Sequence, residues 1–206
     1  MGPCHANSIG SRKGRLYMAD LEVQCSYCGR KRCFFGDLSQ APEFCPTLIR
    51  NEQVEYSKAR LSEPDNQVMA QAVARTWKDY GKLTRVEETV LYAKVRGYKK
   101  LGLAFCVGLS QEAEMFTNLL LNEGFEVVSV CCMNGGLSSD DVNLPPEDKI
   151  IPEMRQPMCN PIGQAAILDH EGAELNILLG LCVGDDTLFI KHSQAQIGRA
   201  SCRERV

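Results

Sequence analysis

Thiols carry most of the chemistry written into this sequence. Eleven of its 206 residues are cysteine, and nine of them form two groups. The first is Cys25-x2-Cys28-x4-Cys33-x11-Cys45-Pro46. Tetrahedral Zn²⁺ takes four thiolates of this kind, and iron–sulfur clusters are also held by four cysteines. The spacing is not the bacterial ferredoxin run and inverts the order of the plant-type one, so zinc stands ahead of iron–sulfur. The stretch has too few apolar residues for a core of its own, and a metal would supply its folding energy. Arg30, Lys31 and Arg32 lie inside the pattern. They would offset thiolate charge, or else form an ordinary solvated basic loop.

The second group is Cys106, Cys131, Cys132, Cys159 and Cys182, scattered over the second half. Only a fold could assemble them. The apolar run 101–107 suits a buried strand, 126–131 a second, and 175–181 a third. Helices are predicted between and after them. One runs from Ser110 to about Asn122, with Ala113, Phe116 and Leu120 inward and Gly124 as its stop. Another starts at Asn160-Pro161, an N-cap followed by proline at the first turn, and ends near Asp169. A last one opens at Asp185 or Asp186. Alternating strands and helices predict a small parallel α/β sheet of Rossmann-like type.

On that sheet the second group gains meaning. Cys106 ends the first strand, Cys131 and Cys132 the second, Cys182 the third, and Cys159 precedes a helix start. Strand C-termini and helix N-termini share one edge of a parallel sheet, where ligands bind. The predicted consequence is a shared cofactor site, a second iron–sulfur cluster or metal, with a redox dithiol next. Nearby helix N-termini are expected to favour thiolate. Each cysteine taken singly reads as a small core residue.

Two helices are expected ahead of the sheet. The first follows Ser62-Glu63-Pro64-Asp65, with Met69, Val73 and Trp77 recurring every four residues and Tyr80 on the same face. The second opens with the capping-box pattern Thr84-Arg85-Val86-Glu87 and stops at Gly97. The short link at Gly81 predicts an antiparallel helical hairpin. Other polar residues signal less. Asp185 and Asp186 could touch a substrate or metal, or cap a helix. His170 reads as a helix-end residue and Asp140-Asp141 as loop solvation. Gly108, Gly180 and Gly184 permit close backbone approach without forming a phosphate loop.

Both ends are expected to lie outside the fold. Residues 1–17, with Cys4 and His5, read as a polar leader, and Met18 as an internal start. The string 197–206, Cys202 included, is what a common short-read sequencing adapter encodes and is set aside as an artefact, which makes the native chain truncated near Ala195. The two segments hold six of 23 Lys and Arg and one of 26 Asp and Glu, so the remainder carries 17 against 25, a net of −8. That balance offers no footprint for nucleic acid or an anionic membrane. No run of eighteen apolar residues and no apolar leader is present, so neither a membrane span nor a secretory signal is predicted. Clustered free cysteines then point to the reducing cytoplasm.

Several strings together resemble a family of cysteine-rich bacterial and archaeal proteins of unknown function, labelled as metal-binding. They are CSYCGRKRC with the later Cys45-Pro46, VVSVCC, MCNPIGQA at 158–165, and NILLGLCVGDDTLFIKHSQA at 176–195. The resemblance covers about 25–195. It implies metal binding and names no reaction. It also implies a histidine where this chain has Asp185, and some forty further residues with another strand.

The sequence therefore predicts a leader at 1–17, a four-cysteine metal module at 18–50, a helical hairpin at 51–99 and a parallel α/β domain at 100–195. The leading expectation is a metal or iron–sulfur protein, with a small molecule or redox partner. One alternative is a zinc-knuckle interaction module without enzymatic activity. The other is a thiol oxidoreductase or transferase without a second metal, using Cys131-Cys132.

Overall fold

The structure is a computed structural model that describes residues 23–79 and 81–199. The leader with Cys4, His5 and Met18, the helix position Tyr80, and Cys202 lie outside the described residues. The chain divides into two compact units, Met1–Asn66 and Gln67–Val206.

The first unit is built from turns and short helices. A 3-10 turn at Cys25–Tyr27 is closed by Cys28 N–H donating to the Cys25 carbonyl at 3.1 Å. A second at Arg32–Phe35 begins after Lys31 and ends at Gly36, both in the left-handed region with φ of 42° and 72°. Cys45-Pro46 starts α1 (Pro46–Ile49), with proline at the first turn where its missing N–H costs nothing. Helix α2 (Asn51–Leu61) follows and has no buried residue. Sequence periodicity does not reveal α2, because it presents no apolar stripe to read. Ser62 ends this helix, its hydroxyl donating back to the Lys58 carbonyl, rather than capping the next one. Helix α3 (Pro64–Thr76) crosses the division between the units.

In the second unit, α4 (Arg85–Arg96) carries the expected capping box. Glu87 N–H donates to Thr84 Oγ1, and Thr84 N–H to the Glu87 carboxylate at 2.7 Å. Gly97 takes φ 76° and stops it. Strands β1 (Lys100–Phe105) and β2 (Glu126–Cys131) are joined by α5 (Ser110–Asn122). A long loop then leads to α6 (Pro161–His170), β3 (Leu175–Leu179), α7 (Asp185–His192) and β4 (Gln196–Arg199). All pairings are parallel, in the order β2-β1-β3-β4. The fold is therefore the expected parallel α/β arrangement, with four strands rather than three. Sequence reading stops the sheet at β3. The outer edge of β3 offers unpaired backbone groups, and Gln196–Arg199 pairs with them from Leu175↔Gln196 to Leu178↔Arg199.

The strands of this sheet alternate their faces. Leu101, Leu103, Leu175, Ile177 and Leu179 pack with Val90 and Ala93 of α4 and Ala113, Phe116 and Leu120 of α5. On the other face Ala104, Val130 and Leu178 pack with Ala165 and Leu168 of α6 and Phe189 of α7. Gly102 is needed here: a Cβ would stand 2.1 Å from Asn176 Oδ1. Helices α3 and α4 flank a cavity of about 630 Å³, lined by Met69, Val73, Trp77, Glu88, Tyr92 and all of β4. Trp77, in the 3-10 turn that follows α3, is 67% exposed and lines this cavity with Met69 and Val73 of α3. Among the described residues, no helix is long and apolar enough to cross a membrane.

Candidate functional site

Two cysteine sets lie in the two units. In the first unit Cys25, Cys28, Cys33 and Cys45 line one cavity of about 390 Å³, together with Lys31, Phe34, Phe44, Pro46 and Thr47. Cys45 is buried, Cys28 half-buried, and Cys25 and Cys33 exposed. Lys31 N–H donates to Cys28 Sγ at 3.4 Å, and Lys31 Nζ to the Cys28 carbonyl at 2.9 Å. The backbone N–H groups of Lys31 and Arg30 hold the Cys28 thiol below its ordinary value. Amide donation to sulfur is what a thiolate metal ligand needs around it. The other cations have partners of their own. Arg30 donates to Gln40 Oε1, and Arg32 pairs with Asp37.

Four soft donors around one hollow fit zinc or a cluster in kind. Among the described residues, no three Cys, His, Asp or Glu side chains are arranged to hold an ion as they stand.

In the second unit the sheet-edge cysteines do converge. Cys106 follows β1, Cys132 follows β2, Cys159 sits next to the Asn160 cap of α6, and Cys182 follows β3. Backbone bonds hold the segments together. Cys106 N–H donates to the Leu179 carbonyl at 3.1 Å and Cys132 N–H to the Phe105 carbonyl at 2.9 Å. Asn160 N–H donates to the Cys132 carbonyl at 2.7 Å. Two thiol pairs result. Cys159 and Cys132 act on one another electrostatically, and so do Cys182 and Cys106. Val107 N–H donates to Cys132 Sγ at 3.3 Å and links the pairs. Asp185, the first residue of α7, is in hydrogen-bond contact with Cys159 and acts electrostatically on Cys182.

Cys131 stands apart from this pairing. Cys131 is the last residue of β2, and Cys132 lies in the turn that follows it. The Cys131 sulfur accepts instead from Met133 N–H at 3.5 Å. Beside the Cys131-Cys132 couple of the third sequence expectation, the structure offers Cys132 with Cys159 and Cys106 with Cys182.

The electrostatics reverse the expected thiolate character. Burial pushes Cys159 up, and contact with the Asp185 carboxylate and Cys132 pushes it further. Burial also raises Cys182, with Cys106 and Asp185 adding to it. Cys132 rises through burial, only partly offset by the Val107 N–H. Negative neighbours and desolvation outweigh the helix termini.

The sheet order places the pairs. Chain β1 crosses to β2 on one side, and β3 returns on the other, so the order reverses between β1 and β3. Open α/β sheets bind ligands at that point, beyond the strand C-termini. Cys106 and Cys182 follow those two strands. Gly180 permits the approach, with φ 67° and no room for a Cβ beside Leu109.

The loop after β2 is built on polar contacts that sequence reading misses. Asn134 Nδ2 donates to the Cys131 and Asn160 carbonyls, and Asn160 Oδ1 accepts from Gly163 N–H. Gln164, fully buried, donates from Nε2 to the carbonyls of Val130 and Phe105, at the ends of β2 and β1. Its place on the face with Pro161 and Leu168 was the available signal, a polar residue on an apolar stripe. Asp141 is no mere solvated residue: it accepts from Ser138 N–H at 2.7 Å and from its hydroxyl. Asp186 accepts from Gly184 N–H and pairs with Arg199. His170 ends α6 and is exposed.

Comparison with known proteins fits the unit that holds the thiol pairs. The family described as "Protein of unknown function (DUF1847)" matches residues 45–199, which includes Cys45 and every sheet-edge cysteine. The uncharacterised protein MJ0455 of Methanocaldococcus jannaschii is 38% identical over 184 residues, covering 89% of each chain.

Proposed function

The chain belongs to the DUF1847 family, and from that premise we propose that it is a cysteine-rich metal-binding protein with a second, redox-type thiol site. In this reading Cys25, Cys28, Cys33 and Cys45 hold zinc or an iron–sulfur cluster. The observation that carries it is the single cavity that all four line. A tetrathiolate there would tie three turns together in a segment that buries little else. The metal supplies folding energy, or electrons if it is a cluster. Arg30 and Lys31 supply the N–H groups that stabilise thiolate at Cys28. The cytoplasm is the proposed setting, and the partner is a small molecule or redox protein rather than nucleic acid or membrane.

Metal analysis and a visible spectrum of anaerobically purified protein test this. One tetrathiolate-bound metal or cluster per chain is expected, lost in Cys28→Ser and kept in Cys106→Ser and Cys182→Ser. Metal-free protein with all four N-terminal thiols freely alkylated would sink the reading.

A second reading rests on Phe34 and Phe35. They are 84% and 80% exposed, stacked edge to face at 5.0 Å beside the metal cavity. Such a surface suits a knuckle that docks a protein partner. Its test is Phe34→Ala with Phe35→Ala, which would abolish partner binding and leave metal content unchanged.

A further inference from the structure

The thiol pairing at the sheet edge goes further than a generic redox site. We propose that Cys106 and Cys182, brought together where the strand order reverses, form a dithiol that exchanges with small-molecule disulfides and closes to a Cys106–Cys182 bond. This deepens the reading of the sheet edge as a functional thiol site and rests on it.

Three observations converge. The two residues follow neighbouring strands, β1 and β3, in register from Leu101↔Leu175 to Phe105↔Leu179, although they are 76 positions apart in sequence, and they act on one another electrostatically. Their segments are fixed by the backbone: Cys106 N–H bonds the last residue of β3, and Gly180 lets the chain after β3 close on the loop after β1. The pair also differs in access. Cys182 is exposed and Cys106 half-buried, while Cys132 in the inner pair is 2% exposed. Cys159 is half-buried like Cys106, so Cys182 is the one thiol of the four that an external disulfide meets at an exposed position. Val183, beside Cys182, is fully exposed as well.

The chemistry balances as two exchange steps. The Cys182 thiolate attacks one sulfur of R–S–S–R, a new S–S bond forms, and one thiol RSH leaves. Cys106 then attacks the Cys182 sulfur of the mixed disulfide, and the second RSH leaves. Two protein thiols are oxidised by two electrons, and the external disulfide is reduced by the same two. The two thiol protons end on the two released RSH molecules. A thiol of high basicity is a strong nucleophile in its small thiolate fraction, so exchange at Cys182 speeds up as pH rises.

The test is incubation of the full native chain with bis(2-hydroxyethyl) disulfide without oxygen, followed by peptide mass mapping. The expected product joins Cys106 to Cys182 and leaves Cys132 and Cys159 reduced. Cys106→Ser should stop at the mixed disulfide on Cys182, and Cys182→Ser, at an exposed position, should abolish reaction of Cys106. A mixed disulfide on Cys182 that never closes in the unmodified protein overturns the proposal. So does a bond from either residue to a different cysteine. Iron and acid-labile sulfide lost on Cys106→Ser or Cys182→Ser would overturn the dithiol while leaving a functional sheet-edge site. Four unreactive, metal-free sheet-edge thiols would overturn both. Metal held by the first unit is unaffected in every one of these outcomes.

Discussion

The first unit and the sheet edge put cysteine to work in opposite settings. Around Cys28 the sulfur receives main-chain N–H groups, and burial is slight. At Cys159 the sulfur is desolvated and faces a carboxylate and another thiol. The setting of Cys28 lowers the cost of a thiolate, and that of Cys159 raises it. The difference follows from what holds each set in place. Short turns with few buried side chains leave N–H groups free to reach sulfur. A packed sheet with helices on both faces holds its thiols whatever their charge. The first set would become ordered through a metal, whereas the second is presented by a core that already exists.

Metal removal should give the largest effect and the sharpest break between the two. Stripping metal with a strong chelator is expected to collapse amide-exchange protection across 23–50. Structural zinc sites contribute about 10–16 kcal/mol in small peptides. The amides of β1 and β3 should keep their protection. Simultaneous loss in both regions, followed by hydrogen-exchange mass spectrometry, would erase the distinction.

Weakening the core reverses the experiment. Ile177 is fully buried in the centre of β3. Ile177→Ala should cost about 2–5 kcal/mol through lost burial and a residual cavity. Urea unfolding should register that loss, and Cys132 should become open to alkylation at lower urea. Metal content of the first unit should not change. Metal loss in this variant would mean that the core also supports the N-terminal turns.

Much of this contrast is legible in the sequence, and the limits have physical causes. The Asn160-Pro161 start, the Thr84 box and the stops at Gly97 and Gly124 are local signals, and the structure follows each of them. The apolar runs mark β1 and β3 because strands buried on both faces lose their alternation in a recognisable way, whereas β2, at the sheet edge, is mostly part-exposed. Helix α2 stays invisible because it buries nothing. The convergence of Cys106, Cys132, Cys159 and Cys182 follows from parallel topology alone. Their pairing does not, since it depends on register and on the Asn160 bond to Cys132. The direction in which the thiol pKa values move is also beyond sequence. It needs the position of Asp185, which a cap motif places only to within a turn.

Asp185 allows a finer cut at the same comparison. Its carboxylate raises Cys159 by contact and Cys182 at short range. Asp185→Asn should bring both thiols down, and a thiol whose pKa falls by about one carries about tenfold more thiolate at a given pH below it. The alkylation profile of Cys182 against pH should move to lower pH. Cys28 in metal-free protein should label at lower pH than Cys182 and be indifferent to the substitution. An unchanged Cys182 profile would remove Asp185 from the electrostatics of the pair.

The smallest effect lies at the opposite edge of the sheet and shows that charge there behaves in the reverse way. Glu174 accepts from Lys99 N–H at 2.6 Å and Lys100 N–H at 2.9 Å, across the N-terminal ends of β3 and β1. Those N–H groups, Lys100 before Lys99, hold its carboxyl below the ordinary value. A carboxylate favoured by the folded state stabilises it above the unfolded pKa, near 4.3 for glutamate. That contribution is lost as pH falls through the lower folded pKa. The residue is exposed, so solvent screening keeps the effect below about 1 kcal/mol. Glu174→Gln should flatten the acid limb of a stability curve measured by urea melts between pH 7 and 3. The alkaline limb, where the sheet-edge thiols ionise against burial, should be untouched. An acid limb identical in both proteins would show that the amides of Lys99 and Lys100 give Glu174 no preference for its charged form. The opposed behaviour of the two sheet edges would then reduce to the thiols alone.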